Sequence, residues 1–388
     1  MCSVGIGNQP SFGSLVSAPP KREGKVVDRL AGTSGFGGVY GAGIARPQRG
    51  SSIVIGYESA LAFWRRSRVE DPALTRELLG QLYPDDMLAT LDAEALAADT
   101  SLRPLELPNS PFERIHHAAL ALGLREPVDI VVGKDAARRR SPSAHCHVWS
   151  GPVSDGLLVG VEPGVYICSP ELIVAQLASE LGLYKTISLA MELCGSYSLL
   201  VNGVCEYSVP SLTSHSRISS VLRLSDSFRG IDVAKQAALY SIDGSASPRE
   251  TVLAVMLSLP RRLGGWGCGK PLLNAEIMLS AAAARECSRS SLRADLLFDE
   301  ADLDVEYQGR EWHTKPEDRT SDEARQNALM MMGKSCLFIS REQISDEARM
   351  DGIALLIRSR LGLRPYRRPL STGMSLRRHQ MMLDFGLA

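Results

Sequence analysis

The stretch 302–308 reads DLDVEYQ, and a period of two divides it into Leu303, Val305 and Tyr307 on one strand face and Asp302, Asp304, Glu306 and Gln308 on the other. Just upstream, RADLLF (293–298) is a second short strand-like run that carries Asp295 among apolar neighbours. Before it, SPRETVLAVMLSLP (247–260) starts as a helix, with Ser247 as N-cap, Pro248 at N1 and Glu250 at N3, followed by an apolar run. A helix and two strands therefore present one carboxylate each. If the two strands are neighbours, Asp295 and Glu306 come close enough to repel, which is costly unless a cation sits between them.

Working outward, the pattern after 308 predicts a helix, then a strand SCLFIS (335–340), then a helix near 341–361, and a basic, loose tail over 364–388. Upstream, IVIGYESALAFWRR (53–66) reads as a short strand running into a helix, with further helical runs at 73–83, 93–98 and 110–124. The last of these begins with a Ser110/Glu113 capping box. Strand-like pieces follow at VDIVVG (128–133), HCHVWS (145–150), LLVGVE (157–162) and GVYICS (164–169). A helix opens at Ser169, and further helical stretches are expected at 186–195, 218–224 and 230–240. The expected organisation is a disordered Gly/Ser/Pro-rich leader over 1–50, a smaller α/β and helical module over 51–243, a second domain over 244–363, and the tail.

The 388 residues exceed one ordinary domain, and 44% hydrophobic with 22% charged content is that of a soluble globular chain. No apolar run approaches a membrane span, and no signal peptide is evident, so a cytoplasmic protein with no membrane partner is expected. Eight cysteines without a CxxC pair point to reduced thiols. A net charge of −1 gives no global pull on nucleic acid, so any such contact must use local clusters: Arg138–Arg140, Arg261–Arg262 and the tail arginines Arg364, Arg367, Arg368, Arg377 and Arg378. GTSGFGGVYGAG (32–43) and the terminal DFGLA (384–388) imitate kinase segments. The chain has no HRD loop, and no lobe follows the DFG, which excludes that reading. His145 and His147 share a strand face, but nothing in the sequence completes a metal set around them, and satisfied structural histidines are expected.

The set Glu250, Asp295, Glu306-Tyr307-Gln308, Gly309, His313, Asp322, Arg325, Leu329 and Gly333 before SCLFIS resembles the endonuclease-like domain of actinobacterial proteins. Those proteins are related to the very-short-patch-repair endonucleases and to the PD-(D/E)XK nuclease superfamily, and the resemblance covers about 245–345. The upstream elements resemble, more weakly, the AbiEi-type antitoxin-like part of the same proteins. The chain departs at Gln308, where many relatives carry Asp and the superfamily often has Lys.

This resemblance implies a restriction-endonuclease-like mixed sheet flanked by helices and a Mg²⁺- or Mn²⁺-dependent hydrolysis of DNA phosphodiesters. It assigns the cation to Asp295, Glu306 and the Tyr307 carbonyl, with Glu250 completing the shell or polarising water. Gln308 would orient the attacking water, and His313 would protonate the leaving group or contact phosphate. Beyond DNA, a toxin or a second copy of the chain is an implied partner. Plainer readings stand beside these. Glu250 can serve only as a cap, Arg293 can pair with Asp295, and Glu306 can belong to a solvated face with Asp302 and Asp304. Asp322 and Arg325 read as a surface pair. The alternative function is a DNA-binding regulator or antitoxin-like protein on an inactive nuclease fold.

Overall fold

The computed structural model describes residues 52–83, 111–133, 141–151, 155–223, 228–308, 316–366 and 368–387. The expected leader, the 93–98 helix, the Ser110 cap, Arg138–Arg140, Gly309, His313 and Arg367 lie outside these residues. The chain is a mixed α/β protein whose sheets are flanked by helices. It divides into two units. One holds the described residues up to Gln176 with 199–206 and 228–229, and the other holds 177–198, 207–223 and 230–387. The helical stretches expected to belong with the N-terminal module over 51–243 are thus mostly part of the second unit.

The first unit contains β1 (Ile53–Ile55), α1 (Tyr57–Glu70), α2 (Pro72–Leu82), α3 (Pro111–Ala121), β2 (Val128–Val132), β3 (Ala144–Val148), β4 (Leu158–Glu162) and β5 (Val165–Cys168). Its sheet has the order β3-β2-β1-β5-β4, and every residue of the central strand β1 is buried. A fully buried strand reads as a continuous apolar run, as IVI does. Trp64 on α1 packs on this sheet and donates Nε1–H to the Cys168 carbonyl at 2.9 Å. Of the two HCH histidines, His147 is held structurally, whereas His145 is exposed and lies 3.8 Å from Asp129. His147 Nε2 lies 2.8 Å from Asp129 Oδ1, its ring stacks on Tyr57 at 3.9 Å, and Ser59 holds the other Asp129 oxygen at 2.8 Å.

The chain passes between the units within α4 (Pro170–Leu193), a helix interrupted at Gly182, where φ is 71°. Thereafter come β6 (Tyr197–Leu199) and β7 (Cys205–Tyr207), which pair with each other, then α5 (His215–Arg223), α6 (Ile231–Tyr240) and α7 (Pro248–Ser258). The remainder is β8 (Leu272–Met278), α8 (Ala281–Cys287), β9 (Ser291–Phe298), β10 (Leu303–Gln308), α9 (Pro316–Met331), β11 (Ser335–Ser340), α10 (Arg341–Ile344), α11 (Glu347–Arg360) and α12 (Thr372–Asp384).

The second sheet has the order β11-β10-β9-β8. β10 and β11 are parallel and the other pairs antiparallel. A parallel pair needs a crossover, and α9 supplies it. Helix α7 is buried along its whole length from Glu250 to Ser258, as suits a run that is apolar on every side. It forms one core with Leu296 and Phe298 of β9, Leu303 and Val305 of β10, and Ile339 of β11. A smaller cluster of Ile277, Leu292, Ala294, Leu297, Ala328 and Leu329 joins the sheet to α8 and α9.

Three sequence expectations change here. The helix near 341–361 is two helices, because Asp346 caps a new one by accepting the Ala348 and Arg349 N–H groups at 2.9 and 3.1 Å. Strand β8 with α8 was not foreseen, since Asn274 and Glu276 interrupt its apolar pattern. The tail is not loose. α12 inserts Met381 and Met382, followed by Phe385 and Leu387, into the same core as α7.

Among the described residues no cysteine is in a disulfide, and no helix is long and apolar enough to cross a membrane.

Candidate functional site

Strand β9 is the middle of the site, and its ladders fail on both sides at one residue. Toward β8 the pairs Leu273↔Leu296 and Ala275↔Ala294 flank a missing pair, Asn274 opposite Asp295. Asn274 adopts φ 50°, a left-handed conformation that Asn tolerates better than most residues. Toward β10 the last pair is Val305↔Leu296, so Glu306 and Asp295 would be next. In place of the ladder, side chains exchange bonds with backbone. Asp295 Oδ2 accepts the Tyr307 N–H at 2.9 Å, and Glu306 accepts the Asp295 N–H on Oε1 at 3.1 Å. The backbone groups released by the splay are thereby satisfied by the two carboxylates.

Glu250 joins from α7. Ser247 provides its half of the cap, accepting the Glu250 N–H at 3.2 Å. The Glu250 carboxylate instead reaches Ala246 N at 2.9 Å and Asn274 Nδ2 at 2.7 Å, and the same Asn274 amide also donates to the Gly244 carbonyl. The capping reading is therefore half right: Glu250 sits at N3, but its side chain is turned toward the strand that faces Asp295.

The electrostatics follow from crowding. Asp295 is pushed up to about 7, first by burial, then by the charges of Glu250 and Asp304. Glu306 is pushed up to about 9 by burial and by Asp295 and Asp304. Burial also raises Glu250 and Asp304. The counter-charge is Arg325 of α9. Its Nη2 donates to Asp304 Oδ2 at 2.9 Å and to the Arg293 carbonyl at 2.6 Å, and it also bonds Glu306 Oε1. Arg325 is 15% exposed and turned to Asp304 and Glu306, and the side chain of Asp322, its expected partner, lies outside the described residues.

Other expectations are corrected by the same geometry. Arg293 is exposed, and it contributes its carbonyl to Arg325. The face that carries Glu306 is not solvated, because Asp304 is 0% exposed. Asp302 does not belong to it. It sits before the strand at φ 46° and pairs with Lys334 at 2.6 Å.

Glu250, Asp295 and Glu306 are thus brought together, while Gln308 ends β10 two positions beyond Glu306, half-buried and opposite Ser340 of β11. Tyr307 takes part through its N–H. Asn274 is missing from the sequence reading, which named Asp304 and Arg325 only as surface residues. Asn274 carried no signal, because its importance arises from a register. Asp304 carried one: three acids at period two on a strand flanked by apolar residues.

Among the described residues no three Asp, Glu, His or Cys side chains form a ready-made metal cage. The smaller demand of Mg²⁺, one or two carboxylates with the remaining positions left to water and substrate, is met by Asp295 and Glu306. Arg325 pairs with Asp304 and Glu306, and Asp304 Oδ1 is buried with no hydrogen-bond partner, so the all-oxygen donor set of these crowded carboxylates suits a hard cation.

The chain matches no family model, and neither a curated protein nor a solved structure matches it. The likeness to nuclease domains therefore rests on the residues quoted above.

The raised carboxyls set a pH dependence. Their ordinary values are 3.8 and 4.5, so the folded, metal-free protein retains protons at Asp295 and Glu306 that the unfolded chain has released. The stability they contribute is fully present below about pH 4 and is lost as pH rises through about 7 and then about 9. Melting temperature measured in EDTA should fall steadily over that interval. Saturating Mg²⁺ should flatten the fall, because a cation replaces the protons. A metal-free melting temperature that rises from pH 5 to pH 9 contradicts this account.

Proposed function

We propose that the chain is a Mg²⁺- or Mn²⁺-dependent DNA endonuclease of the cytoplasm, working at Glu250, Asp295 and Glu306. The observation that supports it most is the double failure of the β9 ladder at Asp295, which assembles buried carboxylates from a helix and two strands. A sheet that served only stability would continue its ladder there, and burying like charges without a function is costly. Asp295 and Glu306 would hold the cation, which when bound neutralises phosphate charge and acidifies water toward hydroxide. The chain's own part is positional. Tyr307 N–H and the Asp295 N–H fix the two carboxylates, Asn274 orients Glu250, and Gln308, at the end of β10, would orient the water. Gln308 cannot take a proton, so a general base must be a carboxylate or lie outside the described residues, where His313 is.

A second reading, a DNA-binding regulator or antitoxin-like protein on the same fold, is favoured by one observation. Arg325 already supplies a positive charge to Asp304 and Glu306, the role otherwise left to the cation. Calorimetric titration with Mg²⁺ and Mn²⁺, together with a cleavage assay on single- and double-stranded DNA, separates the two. Metal binding with cleavage supports the endonuclease. Wild-type protein that neither binds metal at millimolar levels nor cuts supports the regulator and removes the enzyme.

A further inference from the structure

The second unit also brings together cations that are far apart in the chain. Arg261 and Arg262 follow α7, whereas Arg364, Arg368 and Arg377 lie beyond α11, about a hundred residues later in sequence. Arg261 Nη1 donates to the Arg368 carbonyl at 2.8 Å, and Arg377 Nη1 to the Arg262 carbonyl at 2.9 Å. Arg358 Nη2 donates to the Arg364 carbonyl at 2.6 Å, and the guanidiniums of Arg261 and Arg358 flank the Tyr366 ring at 4.2 and 4.4 Å. These bonds hold the loop after α11 and the start of α12 against the turn that follows α7.

Two arginines of this neighbourhood are committed to structure. Arg378 is buried against Glu347 and Asp351, and Arg358 bonds the Gly267 and Arg364 carbonyls. Of the other five, Arg261 and Arg377 each give one Nη to a backbone carbonyl and Arg262 gives Nη2 to the Tyr240 hydroxyl at 2.9 Å. Among the described residues none of Arg261, Arg262, Arg364, Arg368 and Arg377 pairs with a carboxylate, and all but the half-buried Arg261 are exposed. In a chain of net charge −1, these five arginines are a local concentration of positive charge, next to the carboxylates Glu347 and Asp351 that Arg378 engages. All five are Arg, whose planar fork matches phosphate oxygens in a way that Lys does not.

We infer that Arg261, Arg262, Arg364, Arg368 and Arg377 form the surface that takes the phosphate backbone of duplex DNA. This rests on the nucleic-acid reading above and adds to it where the duplex lies. Helix α7 has Glu250 in its first turn and Arg261 just past its end. Its 11 residues span roughly 16 Å.

The test measures binding of a fluorescein-labelled duplex to the full chain in EDTA by anisotropy, over a series of salt concentrations. Arg262→Gln/Arg364→Gln/Arg368→Gln should make the log–log salt slope shallower by about 2.7 and weaken binding at least about tenfold, since each phosphate contact contributes about −0.9. Arg349→Gln, at an exposed arginine paired with Asp346, should leave the slope unchanged. An unchanged slope in the triple variant, with its melting temperature intact, overturns the inference. So does wild-type protein that ignores the duplex and instead binds phosphatidylserine vesicles, for which the exposed Leu376 beside Arg377 would serve. Because no metal is present, the outcome is independent of cleavage. A protein that binds through this patch but never cuts retains the surface and loses the endonuclease, and one that cuts with an unaltered slope in the triple variant does the reverse.

Discussion

Asp295→Asn should abolish metal-dependent cleavage, by about a thousandfold or more, and at the same time raise the melting temperature of the metal-free protein above pH 7. The two effects have one cause. The amide keeps the shape and can still accept the Tyr307 N–H, so the splayed strands have no reason to rearrange. What is lost is a charge. Without it the site loses a ligand for the cation, and charge stabilisation of this kind is worth several kcal/mol, at about 1.4 kcal/mol per tenfold in rate. The same charge is unfavourable when no cation is bound, because burial and the carboxylates of Glu250 and Asp304 lift Asp295 from 3.8 to about 7. Removing it relieves a repulsion on the order of a few kcal/mol at pH 8, less the cost of burying an amide. A cleavage assay in Mn²⁺ and thermal melts in EDTA at pH 6 and pH 8 read both. A variant that cuts as fast as wild type would sink the assignment of Asp295 to the catalytic site. A variant destabilised at pH 8 would show that the carboxylate is held by a favourable charge partner.

Truncation after Leu363 should unfold the second unit rather than trim a tail. It removes Met381, Met382, Phe385 and Leu387 from the core, each worth about 1.5–3 kcal/mol of burial, a sum comparable to the roughly 5–15 kcal/mol by which a domain is stable. Arg378→Ala isolates one part of this. Arg378 is 1% exposed. Its Nε and Nη2 donate to the Gly264 and Gly265 carbonyls at 2.9 and 3.2 Å, and its guanidinium lies 4.0 Å over the Trp266 ring. Gly264 is required for this approach of the two backbones, since a Cβ there would stand 2.8 Å from the Arg378 backbone nitrogen, and its φ of 89° disfavours any other residue. Losing the arginine strands two buried carbonyls and opens a cavity beside Trp266, at about 3–5 kcal/mol. Chemical denaturation should show the midpoint shift. A change within about 0.5 kcal/mol, the range of ordinary surface substitutions, contradicts the placement of α12. For the DNA question this means that truncating the tail cannot report on its arginines, whereas point substitutions can.

Much of the second unit was legible because its signals are local. Ser247, Pro248 and the apolar run after them place α7 at its start, period-two alternation places β10, and a short apolar run places β9. The kinked helix α4 read as two helical stretches, one opening at Ser169 and one over 186–195, and its interruption falls at Gly182, within the first of them. Asp295 and Glu306 drew attention through a local oddity, charge inside an apolar strand pattern, which needs no knowledge of the fold.

The sequence by itself thus placed α7, β9, β10 and β11 and marked Asp295 as a carboxylate among apolar neighbours. Tertiary structure alone decided the rest, because it depends on pairings between distant residues. The register of β8 against β9 puts Asn274 opposite Asp295, and a shift by one residue would turn every side chain of the strand to the other face. Arg325 reads as a surface helix residue until the crossover of α9 lays it over Asp304 and Glu306, 21 and 19 residues upstream. Arg378 reads as one more tail arginine. It is core only because Gly264 and Gly265, more than a hundred residues earlier, offer carbonyls to a planar fork, and burial is tolerable for a charge when every donor it turns inward is met.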